Sequence, residues 1–448
     1  MAASDSFTGM STADTEWFTD ARFGLFIHWG LYSLGARHEW LSHNESIAPD
    51  AYEARYFKRF EPDLYDPKLW ADAAANAGMK YFVITTKHHE GFCLWDSKLT
   101  QYKSTNTPAR RDLLRPMVNA FRERNLRVGL YHSLIDWHHP DFVIDNAHGP
   151  MRGLSEEQRA KLNEGRDQAK YASYLHGQVH ELLSEFGQID VLWFDFSYAV
   201  SKALIEKGVD PDDFTKGKGR AAWQSVELLK IIRQLQPKCM VTDRLDLLDQ
   251  PVDFKTPEQA QPRRWVEHNG QRVVWEACQT LSGSWGYHRD ESTFRDSDEL
   301  IRCLIDCVSK GGNLLLNVGP TARGEFDDRA LSRLADIGTW MKRHSRSIYG
   351  CTEAPAGIAT PADTRLTYNP KTNRLYVHLF AYPYKFLHLD GLKGKVEYAQ
   401  FLHDASELKM GIDDWHAQHV AGGNNTLDVN LPQTKPGVAV PVVELFLK

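Results

Sequence analysis

The sequence predicts an α/β protein: a (β/α)8-like barrel of the TIM type followed by a C-terminal β-sandwich domain. Three observations predict it. Short apolar runs alternate with amphipathic helical stretches about seven or eight times through most of the chain. Polar and titratable residues recur at the ends of those runs, where a parallel barrel gathers its reactive groups. Near Gly350 the helix signals stop and short alternating runs replace them. The 448 residues suffice for one barrel, which takes about 250 to 350 residues, and a smaller domain. The expected division is a leader over 1–16, the barrel over 17–350 and the sandwich over 351–448.

Phe23 to Ile27 reads as a first buried strand, closed by His28-Trp29-Gly30, and the loop after it holds Glu39 and Trp40. Asp66-Pro67 opens a helix that ends at Gly78, because Pro suits the first helical turn and Gly the stop. Met79 to Thr86 is the next strand and runs into Lys87-His88-His89-Glu90-Gly91-Phe92. The unit repeats with a helix from Arg111 to Asn125 and a strand from Leu126 to Ser133 that carries His132 near its end. A loop through Asp136, His138 and His139 leads to a long helix, Asp167 to Phe186, with Gly187 as its stop. Ile189 to Phe196 follows, an apolar run containing Trp193 and Asp195.

Residues 201–220 are charged and rich in Gly and Lys, which predicts an exposed loop. A helix from Ala222 to Gln236 precedes the short strand Cys239 to Arg244. Val252 to Gln259 enters a Pro/Gln loop holding Glu258, and Val273 to Cys278 is a strand with Glu276 embedded in it. The helix Asp298 to Lys310, the strand Asn313 to Val318 and the helix Phe326 to Arg346 complete the barrel. Beyond it, Arg374 to Phe380, Val396 to Tyr398, Leu427 to Leu431 and Val442 to Leu447 alternate as strands do, giving a sandwich of about 90 residues.

Composition narrows the partners. A net charge of -6 with no basic stripe argues against nucleic acid, and no apolar run is long enough for a membrane helix. No Gly-x-Gly-x-x-Gly follows an early strand, which excludes a dinucleotide site. The six cysteines show no Cys-x-x-Cys pair, as expected of a reduced, cytoplasmic protein, or of a secreted or periplasmic one if a leader has been removed. Thirteen Trp and nineteen His favour a sugar cleft, where rings stack on C–H faces and imidazoles bind hydroxyls.

Asp195 is the candidate nucleophile, because a buried strand has little structural use for an acid at its end. Barrel closure would bring it together with His28, His88, His89, His132, Trp193, Arg244, Glu258 and Glu276. Three readings compete: a glycosidase with two carboxylates, a zinc hydrolase, and a sugar-binding module without catalysis. Spacing weighs against metal, since the first strand offers His-Trp rather than His-x-His. The adjacent His88-His89 pair would also aim its rings apart on an extended chain. A binding module has no need of two acids.

Five motifs in order, Phe-Ile-His28-Trp-Gly, Lys87-His88-His89-Glu-Gly-Phe, Trp193-Phe-Asp195, Asp253-Phe-Lys-Thr-Pro-Glu258-Gln and Lys310-Gly-Gly-Asn-Leu-Leu-Leu-Asn-Val-Gly-Pro320, resemble those of α-L-fucosidases of glycoside hydrolase family twenty-nine. The resemblance covers about Trp17 to Gly350 and implies the same barrel and sandwich, with no cofactor. It also implies a retaining, exo-acting double displacement on a fucosylated oligosaccharide or glycoconjugate, with Asp195 forming a covalent fucosyl-enzyme. The two carboxyls of a retaining pair lie about 5 to 5.5 Å apart. The second must hold its proton as general acid, which burial and a nearby negative charge favour, and then act as base.

Glu258 matches that acid/base, with Glu276 as the competitor and Glu39 a distant third. The family pattern assigns sugar contacts to His28, Glu39, Trp40, His88, His89, Trp193 and Arg244. Trp285 matches an aromatic packed on the C6 methyl of fucose. His132 stands where some members carry a second tyrosine, and either residue can bond a hydroxyl. Linkage preference and oligomeric state carry no motif.

Overall fold

The computed structural model describes residues 13–419, 423 and 425–448, so the first twelve residues of the expected leader lie outside the described residues. Strands β1 (Phe23–Ile27), β2 (Tyr81–Lys87), β3 (Arg127–Ser133), β4 (Val191–Asp195), β5 (Met240–Val241), β6 (Glu276–Thr280) and β7 (Asn313–Val318) follow one another along the chain. Among the described residues they form one curled parallel sheet in the order β5-β4-β3-β2-β1-β7-β6. The gap between its two edges is spanned by the segment from Phe254 to Glu258. It makes isolated parallel bridges from Phe254 to Thr242 on one side, and from Lys255 to Trp275 and Glu258 to Cys278 on the other. The stretch expected to be a Pro/Gln loop is thus the eighth stave of the barrel wall.

Both faces of these strands are buried, as in parallel sheets covered by helices. Alternation with period two divides them. Phe26, Tyr81, Val83, Tyr131, Val191, Trp193, Met240, Phe254, Cys278 and Leu315 fill the lumen, while Leu25, Ile27, Phe82, Ile84, Leu130, Leu192, Phe194, Leu314 and Leu316 pack outward under the helices. The helix Glu16–Ala21 presents Phe18 to this interior, with ring centroids 5.3 Å from Tyr81 and 5.2 Å from Phe254. The long helices lie within two or three residues of their expected limits: Leu114–Glu123, Gln168–Glu185, Ser225–Leu235, Ser297–Val308 and Asp328–His344.

The C-terminal strands are β8 (Thr352–Glu353), β9 (Thr364–Asn369), β10 (Arg374–Leu379), β11 (Phe386–Asp390), β12 (Val396–Phe401), β13 (Thr426–Asn430) and β14 (Val442–Leu447). Among the described residues they form an antiparallel sheet in the order β8-β9-β10-β14-β12 and the pair β11-β13. Leu375, Val377, Leu387, Leu389, Val429, Val443 and Leu445 make a common core between them. The barrel grips this unit through polar contacts: Trp340 Nε1 donates to the Val440 carbonyl at 3.0 Å, and Arg365 pairs with Asp306 at 2.6 Å. Among the described residues no helix is long and apolar enough to cross a membrane.

The stretch 201–220 is exposed for most of its length, as expected, but its Lys218 is buried. The ammonium pairs with Asp145, itself buried, and Tyr198 Oη donates to the same carboxylate at 2.8 Å. Lys218 and Tyr198 also exchange backbone hydrogen bonds. An apparently solvated lysine therefore ties this loop to the one holding Asp145.

Candidate active site

A pocket opens at the C-terminal ends of the barrel strands, lined by Phe26, His28, Trp40, His88, His89, Tyr131, Trp193, Asp195, Phe196, Glu258, Cys278 and Trp285. Asp195 ends β4, where period two turns it and Trp193 to the same inner side. Its carboxylate accepts from Arg244 Nη1 at 2.8 Å on Oδ1 and from Tyr131 Oη at 2.9 Å on Oδ2. Arg244 leaves β5 in a single 3-10 turn and donates from Nη2 to Glu258 Oε2 at 2.9 Å. Thr256 holds the same guanidinium, through Oγ1 at 3.0 Å and its carbonyl at 3.1 Å. One arginine thus bridges both candidate carboxylates, with its Cζ 4.8 Å from the Trp193 ring centroid.

The histidines are neutral acceptors. Burial pushes His28 down to about 3 and His89 to about 4, and His88 well below its usual range. Asn317 Nδ2 donates to the Trp285 carbonyl at 2.7 Å, so its Oδ1 receives the Nδ1 proton of His28 at 2.6 Å. Nε2 of His28 is left with a lone pair. Ser133 gives its hydroxyl proton to the Ile135 carbonyl at 2.7 Å and accepts from His89 Nδ1, also at 2.7 Å. The remaining His89 nitrogen lies 3.8 Å from Asp195 Oδ2. His88 Nδ1 is buried without a hydrogen-bond partner among the described residues. A site with such unsatisfied acceptors suits a ligand rich in hydroxyl donors.

Several expectations need correction. His88 and His89 do not aim apart: their rings are 4.1 Å from each other. The chain turns there, with Gly91 N bonding back to the His88 carbonyl, so the extended-chain argument does not apply. His132 does not line the pocket. Its neighbour Tyr131 takes the inward position, while His132 points outward, bonded to Thr86 Oγ1 at 3.0 Å. Glu39 is buried and accepts on Oε2 from the backbone of Trp285 at 3.1 Å and Gly286 at 2.8 Å, while its Oε1 has no hydrogen-bond partner among the described residues. It fixes the loop that presents Trp285. Gly319 supports the same loop by close approach, since a Cβ there would lie 2.5 Å from the Gly286 carbonyl carbon.

The two glutamates are also distinguished. Glu276 is 0% exposed, inside the barrel, and bonded to Tyr81 and Trp193. The Glu258 side chain lines the pocket and is 41% exposed, so the burial expected of a general acid is absent without ligand. Among the described residues no three His, Cys, Asp or Glu side chains converge as metal ligands. Sequence reasoning passed over Tyr131, Phe26, Asn317 and Phe196. The signal for Tyr131 was parity, because it lies beside Trp193 in the strand register. Phe196 adopts φ +78°, strained for a bulky residue, and its ring packs 5.5 Å from Trp40.

Glu90, next in sequence to His89, is buried and accepts from Leu31 N at 3.2 Å and Tyr52 Oη at 2.5 Å. Burial pushes its carboxyl up to about 8, so between the unfolded value of 4.5 and pH 8 the folded chain holds a proton that the unfolded chain has lost. Stability should therefore fall as pH rises through this window, by at most about 1.4 kcal/mol per pH unit from this group. Urea unfolding of wild type and Glu90→Gln at pH 5, 6, 7 and 8 isolates the slope, which the variant should lack.

A sequence model of the family described as Alpha-L-fucosidase matches residues 6–346. The tissue alpha-L-fucosidase of Rattus norvegicus is 28% identical over 396 residues, covering 82% of this chain and 76% of its own. Alpha-L-fucosidase isoenzyme 1 from Paenibacillus thiaminolyticus superposes with a TM-score of 0.87 at 41% identity, covering 97% of this chain and 98% of its own. An alpha-L-fucosidase from Bacteroides thetaiotaomicron, solved as a trapped covalent intermediate with 2-fluoro-fucosyl fluoride, has a TM-score of 0.79 at 26% identity, covering 98% of this chain and 99% of its own. With the matched region spanning the strands that build this pocket, the chain belongs to the α-L-fucosidase family of glycoside hydrolases.

Proposed function

We propose that this protein is a retaining, exo-acting α-L-fucosidase in which Asp195 is the nucleophile and Glu258 the acid/base. The observation that carries the reading is the Arg244 guanidinium, which binds both carboxylates at the mouth of one aromatic pocket. Asp195 attacks the anomeric carbon while Glu258 gives its proton to the departing glycosidic oxygen. The β-linked fucosyl ester is then opened by water, whose proton returns to Glu258, so the α-configuration is restored. Arg244 and Tyr131 hold the attacking carboxylate in line and supply fixed positive dipoles to the charge that shifts during attack.

In this reading His28, His88 and His89 hydrogen-bond sugar hydroxyls while staying neutral, with Trp40 and Trp193 beside the ring and Trp285 against the C6 methyl. Glu39 acts by placing Trp285. Burial of Glu258 is completed by the aglycone, which covers the exposed side of the pocket. The reaction needs no cofactor. The substrate is a fucosylated oligosaccharide or glycoconjugate, as the fucosyl-enzyme of the Bacteroides relative supports.

The test is product stereochemistry with azide and an aryl fucoside. Glu258→Ala should give α-fucosyl azide, because azide intercepts the fucosyl-enzyme, whereas Asp195→Ala should give the β-azide by direct attack. An α-azide from Glu276→Ala but not from Glu258→Ala would overturn the acid/base assignment.

A further inference from the structure

Glu276 is fully buried with no cation paired to it among the described residues, yet it occupies the barrel lumen in a strand where it follows Trp275 and precedes Ala277. Desolvation pushes its carboxyl up to about 7, opposed by the hydrogen bonds it accepts. Holding such a group in an apolar interior is costly, and an aliphatic side chain would fill the same space without that cost. What distinguishes Glu276 is what it holds. Oε2 accepts from Tyr81 Oη, and Oε1 accepts from the indole Nε1 of Trp193 at 3.3 Å.

Trp193 in turn carries two other residues. The Arg244 guanidinium packs on its ring at 4.8 Å, and the Tyr131 ring stacks on it at 5.7 Å with an interplanar angle of 20°. These are the two groups that donate to Asp195, one to each oxygen. Neither donor touches Glu276, and Trp193 contacts both. The chain of contacts thus runs from a carboxyl inside the barrel, through one indole, to both hydrogen bonds that orient the reacting carboxylate.

We infer that Glu276 is a positioning residue for the fucosyl transfer: by fixing the indole of Trp193 it sets the rotation of the Asp195 carboxylate through Arg244 and Tyr131. This rests on the reading of Asp195 as nucleophile. Losing the anchor lets the indole turn about its side-chain bonds, and both donors lose the surface they rest on. A displacement of a fraction of an ångström at a nucleophile matters because attack needs an aligned, near-contact geometry. Trp193 is one wall among several that line the pocket, so loosening its indole bears more on the alignment of Asp195 than on fucose affinity, and the effect is read in kcat.

The experiment compares Glu276→Leu with Glu276→Gln. Leucine is apolar and of similar size, so the fold should persist without the anchor, whereas glutamine keeps an amide oxygen that can accept from the indole. Active sites are counted by stoichiometric trapping with 2-fluoro-fucosyl fluoride. Per trapped site, Glu276→Leu should lower kcat on an aryl fucoside by about 10- to 30-fold with KM within about twofold. The trapping rate should fall in parallel. Glu276→Gln should recover to within about threefold of wild type.

Unchanged kcat per trapped site, with only the active fraction reduced, would make Glu276 a folding residue and overturn the inference. So would a rise in KM at constant kcat, or a glutamine variant as slow as the leucine one. Peptide mapping of the trapped wild-type enzyme separates the two claims: a label on a residue other than Asp195 defeats the nucleophile assignment itself.

Discussion

Replacing Asp195 with alanine should lower kcat/KM on an aryl α-L-fucoside by roughly 10^4-fold or more while leaving the protein folded. The side chain is 15% exposed at a strand end, outside the packed interior, so its removal opens no core cavity. Arg244 keeps its bonds to Glu258 and Thr256, and Tyr131 loses one acceptor that water can replace. What disappears is the group that splits a difficult displacement into two easier ones. Initial rates at matched circular-dichroism spectra give the comparison, and more than about 1% residual kcat/KM would be incompatible with a covalent role for this carboxylate.

The second large effect is on stability. Lys218→Met should cost about 3–5 kcal/mol, because it strands the buried Asp145 carboxylate without its cation. Methionine follows the lysine stem closely, so lost packing contributes little. The double variant Lys218→Met/Asp145→Leu should recover most of the loss, since a well-packed apolar pair replaces a buried ion pair at little net cost. Denaturant unfolding monitored by tryptophan fluorescence measures both. Equal losses in the single and double variants would mean that charge pairing is not what holds these loops.

The fold was legible because a parallel barrel repeats one grammar, an apolar strand and then an amphipathic helix, and two of the helices carried stop signals, at Gly78 and Gly187. Asp195 was legible for a related reason: an acid after Val191-Leu192-Trp193-Phe194 conflicts with its surroundings. The misses have physical causes. Between Tyr131 and His132, composition favours neither, and only lateral register with Trp193 decides which side chain faces inward. His88-His89 required knowledge of a turn that depends on the Gly91 amide bonding back, a local geometry that periodicity does not encode. Lys218 looked solvated because its partner lies 73 residues away in sequence. Glu276 could be seen to need an explanation, but its hydrogen bond to Trp193 is a three-dimensional fact.

The barrel wall has unequal staves. Asp195 stands on a strand laced to β3 through five paired residues, whereas Glu258 belongs to a seam bridged once to Thr242 on one side and at Trp275 and Cys278 on the other. Along residues 274–278 that seam is tied by four backbone hydrogen bonds, through Lys255, Pro257 and Gln259, whereas on the other edge one bridge reaches Thr242. The two carboxylates therefore differ in mechanical freedom. The candidate nucleophile Asp195 is part of a fully paired strand, and its proposed partner Glu258 sits on a seam tied firmly along one edge only.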